Sequence, residues 1–278
     1  MEFNKALVKD FWNEASCGEN LYLQGFSKED YTFHSKKRYE LEPEIIDFAQ
    51  FEKFKNKKVL EIGVGLGADH QKLAEHGAIL SGIDLTPRAI NHTKRRFELM
   101  GLISELQIAD AENLPFEDSS YDAVYSWGVL HHSPDTQKAV NEVYRVLKSG
   151  GLAKIMIYNK HSIIGYMLWI RYALLNFKPF KSLNVIYSYH LESPGTKAYT
   201  YDEAKDLFSM FDIESIDSPL THADLLTSEV GQKHRSGYLS IAKKIWPRWF
   251  FKIFMRKHGL FLLVSLKKKL NASDNSKA

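Results

Sequence analysis

A short apolar run, Lys58–Ile62 (KVLEI), empties into Gly63-Val64-Gly65-Leu66-Gly67, and a helical pattern begins at Ala68. A glycine at every second position between a strand and a helix constrains the chain more than any other feature. It lets the backbone turn tightly and approach a ligand that a Cβ would exclude. Exposed N–H groups in such a turn, with a helix N-terminus behind it, favour a negatively charged or carboxylate ligand group. The rhythm continues downstream. Residues 78–84 (AILSGID) read as a second strand, Thr86-Pro87 as the capped start of a helix reaching about Met100, and Gly101 as its stop. Residues 105–109, 121–127 and 152–158 read as three more strands, with a helix over about 136–147 ended by Ser149-Gly150-Gly151. Strands alternating with helices in this way predict a parallel sheet with crossovers.

Asp84 closes the second strand, 21 residues after Gly63, where an acidic side chain would accept hydrogen bonds from a ribose diol. Helix capping is the competing role for that residue, and Thr86 fills it better. Gly63-Val64-Gly65-Leu66-Gly67-Ala68 also fits the permissive dinucleotide pattern, so an NAD-dependent oxidoreductase stays open on these features. Asp110-Ala111-Glu112-Asn113-Leu114-Pro115-Phe116, after the third strand, has no role in that scheme.

Five ordered segments carry a resemblance. Residues 59–67 resemble motif I of class I S-adenosylmethionine-dependent methyltransferases, and Gly82-Ile83-Asp84 resembles their acidic ribose-binding motif. Residues 110–116 resemble the adenine-side motif. Residues 121–132 resemble the fourth strand and its loop, and residues 145–151 the turn before the fifth strand. The match is closest to the branch of ubiquinone- and menaquinone-biosynthesis methyltransferases and covers about residues 57–158. It implies S-adenosylmethionine as cofactor and methyl transfer by in-line displacement to a small-molecule or lipid-like acceptor. On the same resemblance Glu61, Gly63, Gly65 and Gly67 would hold the methionine part and Asp84, beside Leu85, the ribose. Asp110, Ala111 and Glu112 would lie on the adenine side, and Trp127 and Gly128 would border the methyl group. The implied fold is a doubly wound, seven-stranded, mostly parallel sheet with an antiparallel last strand and helical insertions. A cofactor-binding protein without catalysis is a third reading.

Outside this core the sequence says less. Residues 1–56 are expected to form a helical cap in which Trp12, Cys17 and Gly18 cover the cofactor. Residues 57–158 are the cofactor-binding core, 159–270 the rest of the same domain with acceptor-side insertions, and 271–278 a polar tail. Residues 162–177 read as an apolar helix, followed by a loop with Pro179, Pro194 and Gly195. Thr200-Tyr201-Asp202-Glu203 is a capping-box start for a helix to about Met210. Residues 211–216 read as a sixth strand, residues 220–258 as irregular with one helix, and residues 259–265 as a last strand. His131 and His132 are candidate general bases, since histidine titrates near neutrality, and Tyr158 joins them as a catalytic candidate. Asn159, His190, Thr196, Lys197 and Tyr199 form the expected acceptor-side set.

Composition bounds the rest. One cysteine in 278 residues excludes an internal disulfide, and no cysteine or histidine cluster has metal-binding spacing. With no apolar core of a signal peptide in the first residues, a cytoplasmic protein is expected. The net charge of +3 hides an asymmetry: residues 241–270 hold nine Lys or Arg and no Asp or Glu. Aromatics alternate with these cations. That pattern fits RNA, a membrane surface, or a helix with a solvated basic face. Of these, nucleic acid is the partner not expected, and peripheral contact with a membrane surface is.

Overall fold

The computed structural model describes residues 4–228, 243, 244 and 246–270. Five strands follow the expected alternation: β1 (Lys58–Ile62), β2 (Ile79–Asp84), β3 (Glu105–Ile108), β4 (Tyr121–Trp127) and β5 (Leu147–Tyr158). β6 (Phe211–Asp217) and β7 (Phe261–Lys268) complete a seven-stranded sheet in the order β3-β2-β1-β4-β5-β7-β6. Only β7 runs antiparallel, against β5 on one side and β6 on the other. This is the doubly wound sheet expected. The order reverses between β1 and β4, and ligands of such sheets bind beyond the strand C-termini at that switch.

The crossover helices form where the sequence signals them. Thr86 accepts from Ala89 N, and Pro87 opens α6 (Pro87–Met100), which stops at left-handed Gly101. In chain order the helices before it are α1 (Lys5–Glu14), α2 (Glu19–Tyr22), α3 (Lys28–Leu41), α4 (Glu44–Ala49) and α5 (Ala68–Glu75). α7 (Thr136–Val146) and α10 (Tyr201–Leu207) pack their buried Ala139, Val143 and Ala204 on one sheet face with Leu60, Val124 and Ile155. Phe51, Phe54, Leu73 and Phe97 cover the other face against Val59 and Tyr125.

Three expectations need correction. Ser149-Gly150-Gly151 does not end α7. The helix stops at Val146, and β5 begins at once, with a register shift between its pairings Tyr121↔Leu147 and Ala123↔Leu152. Gly150, at φ +70°, lies in that irregular stretch. The apolar helix expected over 162–177 is α8 (Ile163–Tyr172), followed by a 3₁₀ turn at Leu174–Asn176. The loop expected after it contains α9 (Leu183–His190), whose N-cap Ser182 accepts from Val185 N. α11 (Arg248–Phe254) is a helix of the stretch expected to be irregular, and residues 243 and 244 are helical as well. Residues 229–242 and 245 of that stretch, and the 271–278 tail, lie outside the described residues.

Candidate functional site

A cavity of about 370 Å³ opens at the C-terminal ends of β1, β2, β3 and β4 and extends past β5. Its floor is the glycine turn. Gly63 and Val64 donate their N–H groups to Ile83 O at 2.8 and 3.1 Å, and Gly65 donates to Asp84 Oδ2 at 3.2 Å. These amides therefore tie β1 to β2 and are not the exposed anion donors expected. Their glycines still serve close approach: a Cβ on Gly65 (φ +52°) would meet nothing within 4 Å. That open space is the cavity.

Asp84 stands beside it. Its Oδ1 accepts from Thr86 N and Oγ1, both at 2.9 Å, and burial pushes its carboxyl upward. The residue thus shapes the turn and still presents carboxylate lone pairs to the cavity. Glu61, 3% exposed, lines the floor and lies 2.8 Å from His70 Nδ1. Ser104 donates to Leu80 O, so it accepts from His70 Nε2–H, which leaves Nδ1 bare in the neutral ring. Burial raises the Glu61 carboxyl and pushes His70 down to about 3, each toward its uncharged form.

On the adenine side, Asp110 and Ala111 line the cavity, and Lys5 of α1 reaches Asp110 at 2.5 Å and Glu112 at 2.8 Å. Glu112 itself is buried, accepts Asp135 N at 2.9 Å, and is not on the wall. Leu85, Trp127 and Gly128 are on the wall as expected, and so are Trp12, Cys17 and Gly18. The N-terminal helices are locked over the site by Glu19, which accepts from Arg88 Nε at 2.8 Å and pairs with Nη2. Cys17 is accessible to the cavity yet enclosed by chain, and this desolvation pushes its thiol up to about 12, so it is no nucleophile at neutral pH.

The catalytic candidates separate. His131 is fully buried behind the wall, its ring 4.0 Å from that of Tyr158, and desolvation drives its pKa well below the ordinary range. His132 and Tyr158 line the cavity. Thr196 Oγ1 donates to Ser193 O at 2.7 Å, and His132 Nδ1 lies 2.8 Å from Ser193 Oγ and 3.1 Å from Thr196 Oγ1. His132 Nε2 has no hydrogen-bond partner among the described residues and lies 3.5 Å from Glu192 Oε2. Tyr158 donates to the same Glu192 oxygen at 2.5 Å.

None of the expected acceptor-side set reaches the wall. Asn159 spends its amide on Ser218 and Gly259 O and its Oδ1 on His161 N. Lys197 Nζ donates to Ser133 O and Pro134 O and so pins the loop after β4. Thr196 positions His132, Tyr199 packs against the main core, and His190 stacks on Tyr172 at 3.9 Å. The acceptor end is instead lined by Met156, Ile164, Leu168, Leu191, Glu192 and Phe261. Arg38 was also missed. It lies on the wall, holds Asp69 through Nε and Nη2 at 3.0 and 2.8 Å, and sits over the Trp127 ring. No single periodicity marks these residues, because five separate segments bring them together.

The roof of this end hangs on Asp224, which accepts from Thr221 N and Oγ1 and from Leu260 N through one oxygen. Burial raises its carboxyl to about 6. The unfolded chain titrates near about 4, so between those values the folded state binds the extra proton and stability falls as pH rises. Wild type should lose about 2 kcal/mol relative to Asp224→Asn between pH 4 and 7. Parallel stability-versus-pH curves from denaturant melts would refute this.

Comparison with known proteins agrees with the geometry. A family profile described as a methyltransferase domain matches residues 60–155. A sterol 4-C-methyltransferase of Caenorhabditis elegans is 35% identical over 106 residues, 37% of this chain and 31% of that protein. A phthiotriol/phenolphthiotriol dimycocerosates methyltransferase of Mycobacterium leprae is 40% identical over 97 residues, 34% of this chain and 35% of that protein. A ubiquinone biosynthesis O-methyltransferase of Coxiella burnetii is 29% identical over 145 residues, covering 52% and 55%. The chain thus spans between a third and about half of the length of these relatives. Among solved structures, a SAM-dependent methyltransferase from Methanosarcina mazei superposes with a TM-score of 0.57 at 21% identity, over 82% of this chain and 98% of that one. The [4+2]-cyclase SpnF superposes with 0.54 at 15% identity, over 95% and 93%. Such likeness concerns the fold, and folds of this kind host more than one chemistry.

Proposed function

We propose that the protein, whose residues 60–155 match a methyltransferase-domain profile, uses S-adenosylmethionine to methylate a lipid-like acceptor at a membrane surface. The observation that carries this reading is one cavity with two unlike ends. The glycine turn, Glu61, Asp84 and Asp110 offer a polar, hydrogen-bonding end that fits the methionine, ribose and adenine parts of the cofactor. The end beyond Trp127 is lined mainly by Met156, Ile164, Leu168, Leu191 and Phe261, with Tyr158, His132, Glu192 and His222 among its polar groups, which suits an apolar body carrying a reactive polar group. The relatives named for sterol and phthiotriol dimycocerosate substrates support the same acceptor class.

When bound, the cofactor supplies a methyl group already activated by its sulfonium charge. The chain's main task is alignment, and orientation is worth roughly 7–11 kcal/mol. Asp84 would accept from the ribose hydroxyls. Tyr158 and Trp127 line the cavity wall. In the His132 tautomer that carries its proton on Nδ1, an acceptor that must lose a proton passes it to Nε2, and Glu192 Oε2, 3.5 Å away, stabilises the imidazolium that results. Ser193 and Thr196 hold the ring by its other nitrogen.

Incubation with methyl-labelled S-adenosylmethionine and a total lipid extract tests the reading. Label should enter an organic-soluble product, and His132→Gln should slow its formation about 10²–10⁴-fold with S-adenosylhomocysteine binding unchanged. If the protein binds S-adenosylhomocysteine but moves no label, the catalytic reading fails and cofactor binding alone remains.

A further inference from the structure

The hairpin of α8 and α9 ends in a tip that the cavity does not use. Leu175 is 69% exposed, Phe177 95% and Phe180 100%. Single exposed apolar residues are ordinary, but three at one turn interleaved with lysines are a surface feature. The tip is held in shape. Trp169 Nε1 donates to Lys181 O at 2.9 Å, Lys178 N to Ala173 O at 2.9 Å, and Asn176 Nδ2 to Arg171 O at 2.8 Å. Lys178 and Lys181 flank the two rings, and residues 159–191 contain no Asp or Glu. α11 repeats the chemistry with Trp249 at 66% and Phe254 at 65% exposure around Lys252, in a stretch that also lacks acids.

Both elements are tied to the acceptor end of the cavity. Ile164 and Leu168 of α8 line it, whereas Ile170 on the same helix is 46% exposed. Ile163 N donates to His258 O, four residues after α11. Ahead of α11, Trp246 Nε1 donates to Asp224 O, next to His222 and Ala223 on the wall.

We propose that the hairpin tip and α11 seat the protein on an anionic lipid surface, with their rings at the acyl boundary and their cations against the headgroup phosphates. α8 then stands between the bilayer and the acceptor cavity. Charge selects this occupant. A symmetric contact between two copies would set the same all-cationic patch against itself, whereas anionic lipid attracts each cation and accepts the rings. The link to acceptor loading rests on the lipid-like acceptor proposed above, but surface binding is read out independently.

Co-sedimentation of the full chain with vesicles tests it, using phosphatidylcholine alone and phosphatidylcholine with phosphatidylglycerol. Binding should require phosphatidylglycerol and weaken as salt is raised. The double variant Phe177→Ser/Phe180→Ser should bind at least about tenfold more weakly, because two rings no longer leave water. Its affinity for S-adenosylhomocysteine, measured by calorimetry, should match wild type. No binding to the anionic vesicles at low salt, or equal binding by the variant, overturns the proposal. So does a dimer in solution that the same variant dissociates. Vesicle binding without S-adenosylhomocysteine binding would instead sink the methyltransferase reading and leave the surface intact.

Discussion

Asp84→Ala is expected to weaken S-adenosylhomocysteine binding about 10²–10⁴-fold, the value of two charge-assisted hydrogen bonds to a ribose diol. The structure adds a second reason for a large effect. The same carboxylate accepts Gly65 N, Thr86 N and Thr86 Oγ1, so its loss also frees the turn on which the cofactor would lie. Asp84→Asn separates the two contributions. Its amide oxygen can still accept from Thr86, but its NH2 group then faces Gly65 N–H, so it should keep part of the turn and bind with an intermediate affinity. Calorimetry on samples with matched thermal melts reads both variants. Wild-type affinity in a folded Asp84→Ala protein would remove this residue from the site.

The glycine turn yields a sharper contrast, because two neighbouring glycines should fail in different ways. A Cβ on Gly63 would lie 2.0 Å from Val129 Cγ2, at φ +84°. Overpacking costs about 1–3 kcal/mol and the left-handed backbone about 1–2 kcal/mol, so Gly63→Ala should lose roughly 2–5 kcal/mol of stability. A Cβ on Gly65 meets only the cavity. Gly65→Val should therefore fold with a loss of about 1–2 kcal/mol and bind no cofactor. Denaturant melts and calorimetry on both proteins check the pair. Normal binding by Gly65→Val would make Gly65 a structural turn residue and nothing more.

The parts of this molecule that were legible in the sequence are those set by local chemistry. The glycine turn, the Thr86-Pro87 cap, the Thr200 capping box and the apolar runs of β1 to β5 each announce themselves within a few residues. The polar end of the cavity was legible for the same reason, since its lining residues follow directly on those strands. The acceptor end was not. Asn159 and Lys197 look like ligand-contacting residues by type and position, yet their polar groups are consumed by Gly259 O and by Ser133 O and Pro134 O, partners that only tertiary packing supplies. Glu192 drew no attention because nothing beside it in sequence marks it; its role arises from Tyr158, 34 residues earlier. α9 was hidden by its own composition. LNVIYSYH carries β-branched and aromatic residues that weaken a helix signal, and packing of Ile186 and Tyr187 in the cluster over α8 decides its conformation instead.

We read the cavity above β1 and β2 as a site for S-adenosylmethionine and not for a nicotinamide dinucleotide. Calorimetric titration of one protein sample with S-adenosylhomocysteine and, separately, with NAD separates the two. Saturable binding of S-adenosylhomocysteine at one site per chain is expected, and no heat with NAD beyond dilution. Saturable NAD binding with no response to S-adenosylhomocysteine would contradict this reading.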